Sequence, residues 1–154
     1  MKKSLYFALA VAVLLTAPAT AGDMAWFDMQ NCSMCKHLGS QTGLMENMTW
    51  EQHRFSRGMV AVTRVKPDHL EAYRAAHADM MKTGDLLMQG QQLPMCGSCN
   101  ALGACFMKGA KQDYIETADG DIWMVTSDNP ELVAEIHAWV EHNQKEMKAL
   151  MGKS

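Results

Sequence analysis

The sequence predicts an α+β fold made by internal duplication, in which each copy is a CxxC corner followed by two strands and a helix. The frame C-x-x-C-x-x-L-G occurs at residues 32–39 and again, 64 positions later, at residues 96–103. Two β-prone runs and a helical pattern that begins at a proline follow each occurrence. We therefore expect one antiparallel sheet with both long helices on one face.

The first 21 residues have the pattern of a cleaved secretory signal peptide. Lys2 and Lys3 give a basic start, residues 5–15 are an apolar run too short to span a bilayer, and residues 19–21 form an A-x-A cleavage site. The mature chain, 22–154, is then one soluble domain, periplasmic or otherwise secreted. Its two pseudo-repeats cover about residues 29–88 and 93–151.

The first copy contains two predicted strands, 48–55 and 58–65, separated by Ser56-Arg57. Gly58 stands where a tight turn favours glycine, so the two strands are expected to form a hairpin. Pro67 then occupies a favourable first helical position. We expect that helix to end or loosen near Gly84.

The second copy repeats this order, with strands predicted at 112–117 and 121–127 around Ala118-Asp119-Gly120. Asn129-Pro130-Glu131 combines a capping side chain, a proline and an acidic residue, which is a strong helix start. Superposing Pro67 on Pro130 also aligns the apolar residues that follow. The second helix is expected to run nearly to the C-terminus.

The charge of the chain argues against several classes of partner. It contains 14 Lys and Arg against 17 Asp and Glu, and loss of Lys2 and Lys3 makes the mature protein more acidic. Nucleic acid and anionic lipid are therefore not expected as partners. Membrane insertion is not expected either, because no second long apolar run follows Gly22. We find no nucleophile constellation, phosphate-binding glycine loop or convincing carboxylate pair, so nothing in the sequence indicates an enzyme.

The two corners predict a metal site. Four thiolates, from Cys32, Cys35, Cys96 and Cys99, are enough for a closed tetrahedral zinc site, and zinc is the first expectation if the corners converge. The 60 residues between the corners exceed the usual zinc-finger spacing, and a duplication allows the corners to meet without requiring it. The ion's role would then be mainly structural.

Copper(I) is the alternative ion, because thiolates and thioethers both suit it. Met34 lies inside the first corner, and the chain contains 15 methionines. Most of these are explained equally well as core filling. If copper is handled, a metal-accepting protein is an expected partner, and a homodimer is another.

Three further residues are candidate additional ligands. His37 makes the first corner C-x-x-C-x-H, although a histidine in a solvated loop is the simpler interpretation. Cys105 either completes a three-sulfur site or is buried and inert, with equal weight. His77 stands where the second helix has Val140, and a histidine in or beside the core is the simpler interpretation there.

A second class of function remains open. Exported cysteines are commonly paired in disulfides, and a CxxC pair is also the motif of thiol–disulfide oxidoreductases and redox sensors. A disulfide within one corner closes a very small loop and removes little chain entropy. Neither corner follows a convincing strand, as the common redox arrangement would require.

The chain also resembles the NosL-type periplasmic copper chaperones. The resemblance consists of an exported, methionine-rich chain, the C-x-M-C corner at Cys32 to Cys35, and two halves of ββα type. The second CxxC, at Cys96 and Cys99, has no clear counterpart in that family. The resemblance implies copper handling and assigns no individual residues.

Overall fold

The computed structural model describes residues 24–151 and has an α+β fold around one open antiparallel sheet. The predicted signal peptide, 1–21, lies outside the described residues. The strands are adjacent in the order β1-β2-β4-β3. Their bounds are β1 (Met48–Phe55), β2 (Gly58–Val65), β3 (Lys111–Thr117) and β4 (Gly120–Thr126).

Four α-helices accompany the sheet in this part of the chain. They are α1 (Lys36–Gly39), α2 (Leu70–Met88), α3 (Gly97–Met107) and α4 (Pro130–Met151), and a 3-10 turn, Pro67–His69, leads into α2. Both predicted hairpins and both predicted long helices are confirmed. One expectation was wrong, because Gly84 lies within α2, which continues to Met88. The second corner opens helix α3, which the sequence analysis did not predict.

Glycine is required at the same position of both hairpins, the first residue of the returning strand. Gly58 has φ +148° and Gly120 has φ +159°. A Cβ at Gly58 would lie 1.9 Å from the Val125 carbonyl oxygen, and a Cβ at Gly120 would lie 2.1 Å from that of Thr63. The two central strands pair closely at their ends because neither position carries a side chain.

One face of the sheet holds the core. Met59, Ala61 and Val125 point to it and are fully buried beneath α4, whose Ile136 and Val140 are also fully buried. Helix α2 reaches the same face, where Tyr73 donates a hydrogen bond to Asp121. The expectation of helices on one face is met by these two elements.

On the opposite face of the central strands, the side chains of Val60, Val62, Ile122 and Met124 are only partly buried. The arrangement of two hairpin-and-helix units does not by itself show a duplication, which stays a prediction. None of the helices described is both long enough and apolar enough to cross a membrane.

Candidate metal centre

The two cysteine corners meet in space. The Sγ atoms of Cys32, Cys35, Cys96 and Cys99 all lie within 4.8 Å of one another. Cys35 Sγ lies 3.7 Å from Cys96 Sγ and 3.6 Å from Cys99 Sγ, and all five cysteines of the chain are free. Four sulfurs around one ion at about 2.3 Å have edges of roughly 3.8 Å, so this spacing fits a tetrahedral metal site.

The first corner is a sequence of turns. The Asp28 carboxylate accepts hydrogen bonds from the backbone N–H groups of Gln30 and Asn31, at 3.0 and 2.8 Å. This turn brings Cys32 to the cluster, and Cys35 then stands at the start of the single-turn helix α1. A Cβ at Gly39 would lie 2.4 Å from the Met29 carbonyl oxygen, so glycine allows the corner to close.

The second corner is the N-terminus of a true helix. Cys96 is the N-cap residue of α3, and Cys99 lies in its first turn. The backbone N–H groups of Gly97 and Ser98 donate to the carbonyls of Ala25 and Trp26, at 3.2 and 2.9 Å. The segment that precedes the first corner, residues 24–31, which we call the entry segment, therefore lies directly against this helix start.

One backbone hydrogen bond joins the corners. The Ser33 N–H, between the first two cysteines, donates to the Pro94 carbonyl at 2.8 Å. Ser33 is itself buried. The relative position of the corners is therefore fixed by the polypeptide as well as by any ion.

A buried polar network supports the second corner from behind. Asn143 of α4 is fully buried, and its Oδ1 accepts from Ser98 Oγ at 2.9 Å and from Trp26 Nε1 at 2.8 Å. Its Nδ2 donates to Gln52 Oε1 of β1 at 3.2 Å. Trp139 Nε1 adds a hydrogen bond to the Ser98 carbonyl at 2.9 Å. Such outer contacts orient ligand-bearing backbone and tune a metal site.

The thiols of the cluster perturb one another's ionisation. Hydrogen bonds from Cys35, Cys96 and Cys99 lower the pKa of Cys32 well below its usual range. Cys32 opposes ionisation of Cys96, but hydrogen bonds from Cys35 and Cys99 lower the pKa of Cys96 to about 6. The pKa values of Cys35 and Cys99 are raised, since each donates to a neighbouring thiolate. A metal ion would replace the remaining protons, so binding must release protons.

The three candidate additional ligands lie outside this four-sulfur group. His37 Nε2 lies 2.9 Å from Thr83 Oγ1 of α2. Cys105 is buried in the main core, and that burial raises the pKa of its thiol. His77 packs against the rings of Tyr73 and Tyr114, and its Nε2 is buried without a hydrogen-bond partner among the described residues.

Sequence reasoning missed the supporting residues Ser98, Asn143 and Trp26. Asn143 offered one usable signal, because it is a polar residue three positions after Val140, on the helix face that carries the apolar residues Val133, Ile136 and Val140. As a large aromatic residue Trp26 is expected to pack against the domain, and Ser98 is expected to ease the turn of the corner. Their hydrogen bonds to Asn143 could not be predicted, since these join distant segments of the chain. No protein-family model matches the chain, and no curated protein or solved structure matches it either.

Proposed function

We propose that this is an exported soft-metal-binding protein in which Cys32, Cys35, Cys96 and Cys99 hold one zinc ion. The observation that carries the proposal is the convergence of four sulfurs from two distant segments within 4.8 Å. The grouped ligands are all sulfur, two of them fully buried, which matches the closed character of structural zinc sites.

The ion's role is mainly structural. The two cysteine pairs flank the whole β1–β2–α2 unit, so one ion ties its beginning to its end. Structural zinc contributes roughly 10 kcal/mol or more at neutral pH, which is comparable to the total stability of a domain. Removing one ligand should therefore destabilise the protein far more than an ordinary surface substitution.

The test compares Cys99→Ser with Cys105→Ser, a matched loss of one thiol outside the cluster. Mature protein is purified from the exported compartment without chelator, and metal content is measured by native mass spectrometry. We expect one zinc in the wild type and in Cys105→Ser, and a large drop in melting temperature with loss of zinc in Cys99→Ser. An unchanged melt for Cys99→Ser would refute the structural zinc site.

Export rests on the predicted signal peptide and is tested on the same material. Mature protein should begin at Gly22, and fractionation should place it outside the cytoplasm. The duplication is likewise our inference. Two observations support it: the corners of the two copies meet, and each hairpin has a glycine, at 58 or at 120, as the first residue of its returning strand. The glycines are 62 positions apart and the prolines Pro67 and Pro130 are 63 apart, so the two copies differ in length by single residues between these points.

A redox role is the second candidate, and the structure adds one observation in its favour. The second CxxC opens an 11-residue helix, and a cysteine at a helix N-terminus is typical of reactive thiols. The pKa of Cys96, which Cys32 opposes and which hydrogen bonds from Cys35 and Cys99 lower to about 6, reflects the neighbouring thiols rather than the helix. Free thiols counted after denaturation distinguish the two functions. Zinc binding predicts five thiols and bound metal, whereas a redox protein isolated oxidised has three or one and no metal.

The same native mass spectrometry distinguishes copper(I) from zinc, because the mass of the bound ion identifies the metal. If copper is found, Met34→Ala should weaken its binding under reducing conditions. Copper bound without any effect of Met34 would leave the thiolates as the sole ligands.

A further inference from the structure

We propose that the open face of the sheet is a homodimer interface, on which a second copy of this chain packs face to face. The open face is the side of the sheet opposite α2 and α4. In the described chain, side-chain bonds from these helices to strand side chains reach residues of the other face, namely Gln52, Arg54, Glu116 and Asp121. The open face has no such partners there.

The centre of the open face is apolar. Val60 and Val62 of β2 lie beside Met124 and Ile122 of β4, each pair directly opposite in the antiparallel register. All four are only partly buried, whereas Met59, their neighbour on the core face, is fully buried. A contiguous exposed apolar patch of this kind marks an interaction surface more often than scattered apolar residues do.

Two exposed apolar residues extend this patch toward the edges of the sheet. Ile115 on β3 is 51% exposed, and Phe55 on β1 is 38% exposed. Both belong to the open face, because their register partners Ile122 and Gly58 alternate with the core residues along β4 and β2. The apolar surface therefore spans all four strands.

The charged residues that surround the apolar centre of the open face balance one another, whereas the whole chain carries a net negative charge. Glu51 and Asp113 carry negative charge on this face, and Arg64 and Lys111 carry positive charge. The chain as a whole has a net charge of −3, so two copies repel weakly at most other approaches. The open face is a surface on which two acidic copies meet without a net charge penalty.

The register makes the face self-complementary about a twofold axis that runs parallel to the strands between β2 and β4. This axis places β1 of one copy over β3 of the other. We call the four residues that are register partners across the four strands a row. The axis places each row of one copy over the same row of the second copy, in reversed strand order. One row contains His53, Val60, Met124 and Asp113, so His53 faces Asp113 of the other copy and Val60 faces Met124.

The same axis sets the contacts of the neighbouring rows. In one row Val62 faces Ile122 of the second copy and Glu51, on the edge strand, faces Ile115. In another row Phe55 faces Lys111, a pairing that favours a cation–π contact. Each contact occurs twice, as in any twofold interface. Aligned sheets that pack face to face lie about 10 Å apart and within about 30° of parallel, which preserves these rows near the axis.

The size of the face predicts a reversible dimer. Four strands of seven or eight residues form a rectangle of roughly 19 by 24 Å, or about 450 Å² of flat area per copy. Side-chain relief increases the buried surface, and two copies together approach the lower end of stable interfaces, about 1,200 Å². We therefore expect a dissociation constant in the micromolar range, which area alone does not fix more closely.

The experiment is sedimentation equilibrium of the mature, metal-loaded protein over a range of concentrations. Val62→Lys should weaken dimerisation at least 30-fold, because it places a charge at the centre of the interface. The matched control is Met107→Lys, which changes a residue that is 83% exposed at the end of α3 and should leave the dimer unaffected. Circular dichroism and metal content confirm that each variant is folded.

A charge exchange tests the arrangement of the two copies. His53→Asp and Asp113→Lys should each weaken the dimer about tenfold, and the double variant should return to within about threefold of the wild type. A wild-type protein that stays monomeric at hundreds of micromolar would overturn the proposal. So would a dimer insensitive to Val62→Lys, or a face that captures a different protein while the chain itself stays monomeric. None of these outcomes depends on which ion occupies the cysteines.

Discussion

The two cysteine corners share a sequence frame but are held in different ways. The first is a series of turns ending in the one-turn helix α1, and no residue of that helix is buried. The second opens the 11-residue helix α3, which packs on α4 and is anchored through Ser98 to Asn143 and Trp139. A metal site built this way has one rigid half, fixed by the fold, and one half whose order depends more on the ion.

Metal removal should produce the largest difference between the corners. Without the ion we expect amide exchange to rise sharply across residues 28–40, while α3 keeps most of its protection. The whole protein should lose roughly 10 kcal/mol of stability if the ion is structural zinc. Hydrogen exchange with and without chelator measures both effects. Equal loss of protection in the two corners would contradict the asymmetry.

Asn143→Ala weakens the support of the second, rigid corner. Among substitutions of residues other than the cysteines, it should cause the largest loss of stability there. The change leaves Trp26 Nε1 without its acceptor and removes the acceptor of Ser98 Oγ, so we expect a loss of about 3 kcal/mol. Metal affinity should fall about tenfold, as for other outer contacts of metal sites. Chemical denaturation and metal competition measure these losses.

The control for that change is Asn100→Ala, which removes only an exposed side-chain hydrogen bond to the Met95 carbonyl. It should cost well under half as much. If both variants were equally destabilised, Asn143 would have no special role in holding the second corner.

Gly97→Ala tests how closely the entry segment packs on the second corner. A Cβ at this position would lie 2.9 Å from Trp26 Cε3, so the tryptophan must shift, at a cost of about 1–3 kcal/mol. Gly103→Ala, in the same helix, meets nothing within 4 Å and should instead stabilise by about 0.5–1 kcal/mol. Thermal unfolding should show shifts of opposite sign; two stabilising changes would rule out tight packing at Trp26.

Thr83→Val should give the smallest effect, because it removes one side-chain hydrogen bond between the first corner and α2, together with the bond from Thr83 Oγ1 to the Asp79 carbonyl within α2. His37 Nε2 loses its partner at 2.9 Å, and we expect a cost of about 1 kcal/mol. Metal stoichiometry should not change in this variant or in His37→Ala. Loss of the ion in His37→Ala alone would make His37 a ligand after all.

The sequence predicted the sheet well because its signals are local. The bounds of β1 and β2 follow from β-prone runs around Ser56-Arg57, and the turn glycines mark where each hairpin returns. The start of α4 follows from its capping residue, since Asn129 Oδ1 accepts a hydrogen bond from the Glu131 N–H. Each of these features depends on neighbours in the chain.

Helix α3 was missed because its sequence lacks the amphipathic pattern that identifies a surface helix. Residues 101–107 are almost all apolar or small, and Gly97 and Gly103 are poor helix formers. Short helices owe most of their stability to tertiary packing, which α4 supplies here. Gly84 caused the opposite error, because it predicts the end of a helix that in fact continues to Met88. A single glycine costs α2 only about 1 kcal/mol relative to alanine, which the rest of the helix can offset.

The sequence by itself determined the chemistry available at the site, which is four thiols in two pairs, and the local order of hairpins and helices. Only the tertiary structure decided that the pairs meet, that Cys105 stays in the core, and that Ser98 is bonded to Asn143. The reason is physical. The distance between Cys35 and Cys96 depends on how the whole β1–β2–α2 unit packs, and no stretch of sequence between them specifies that packing locally.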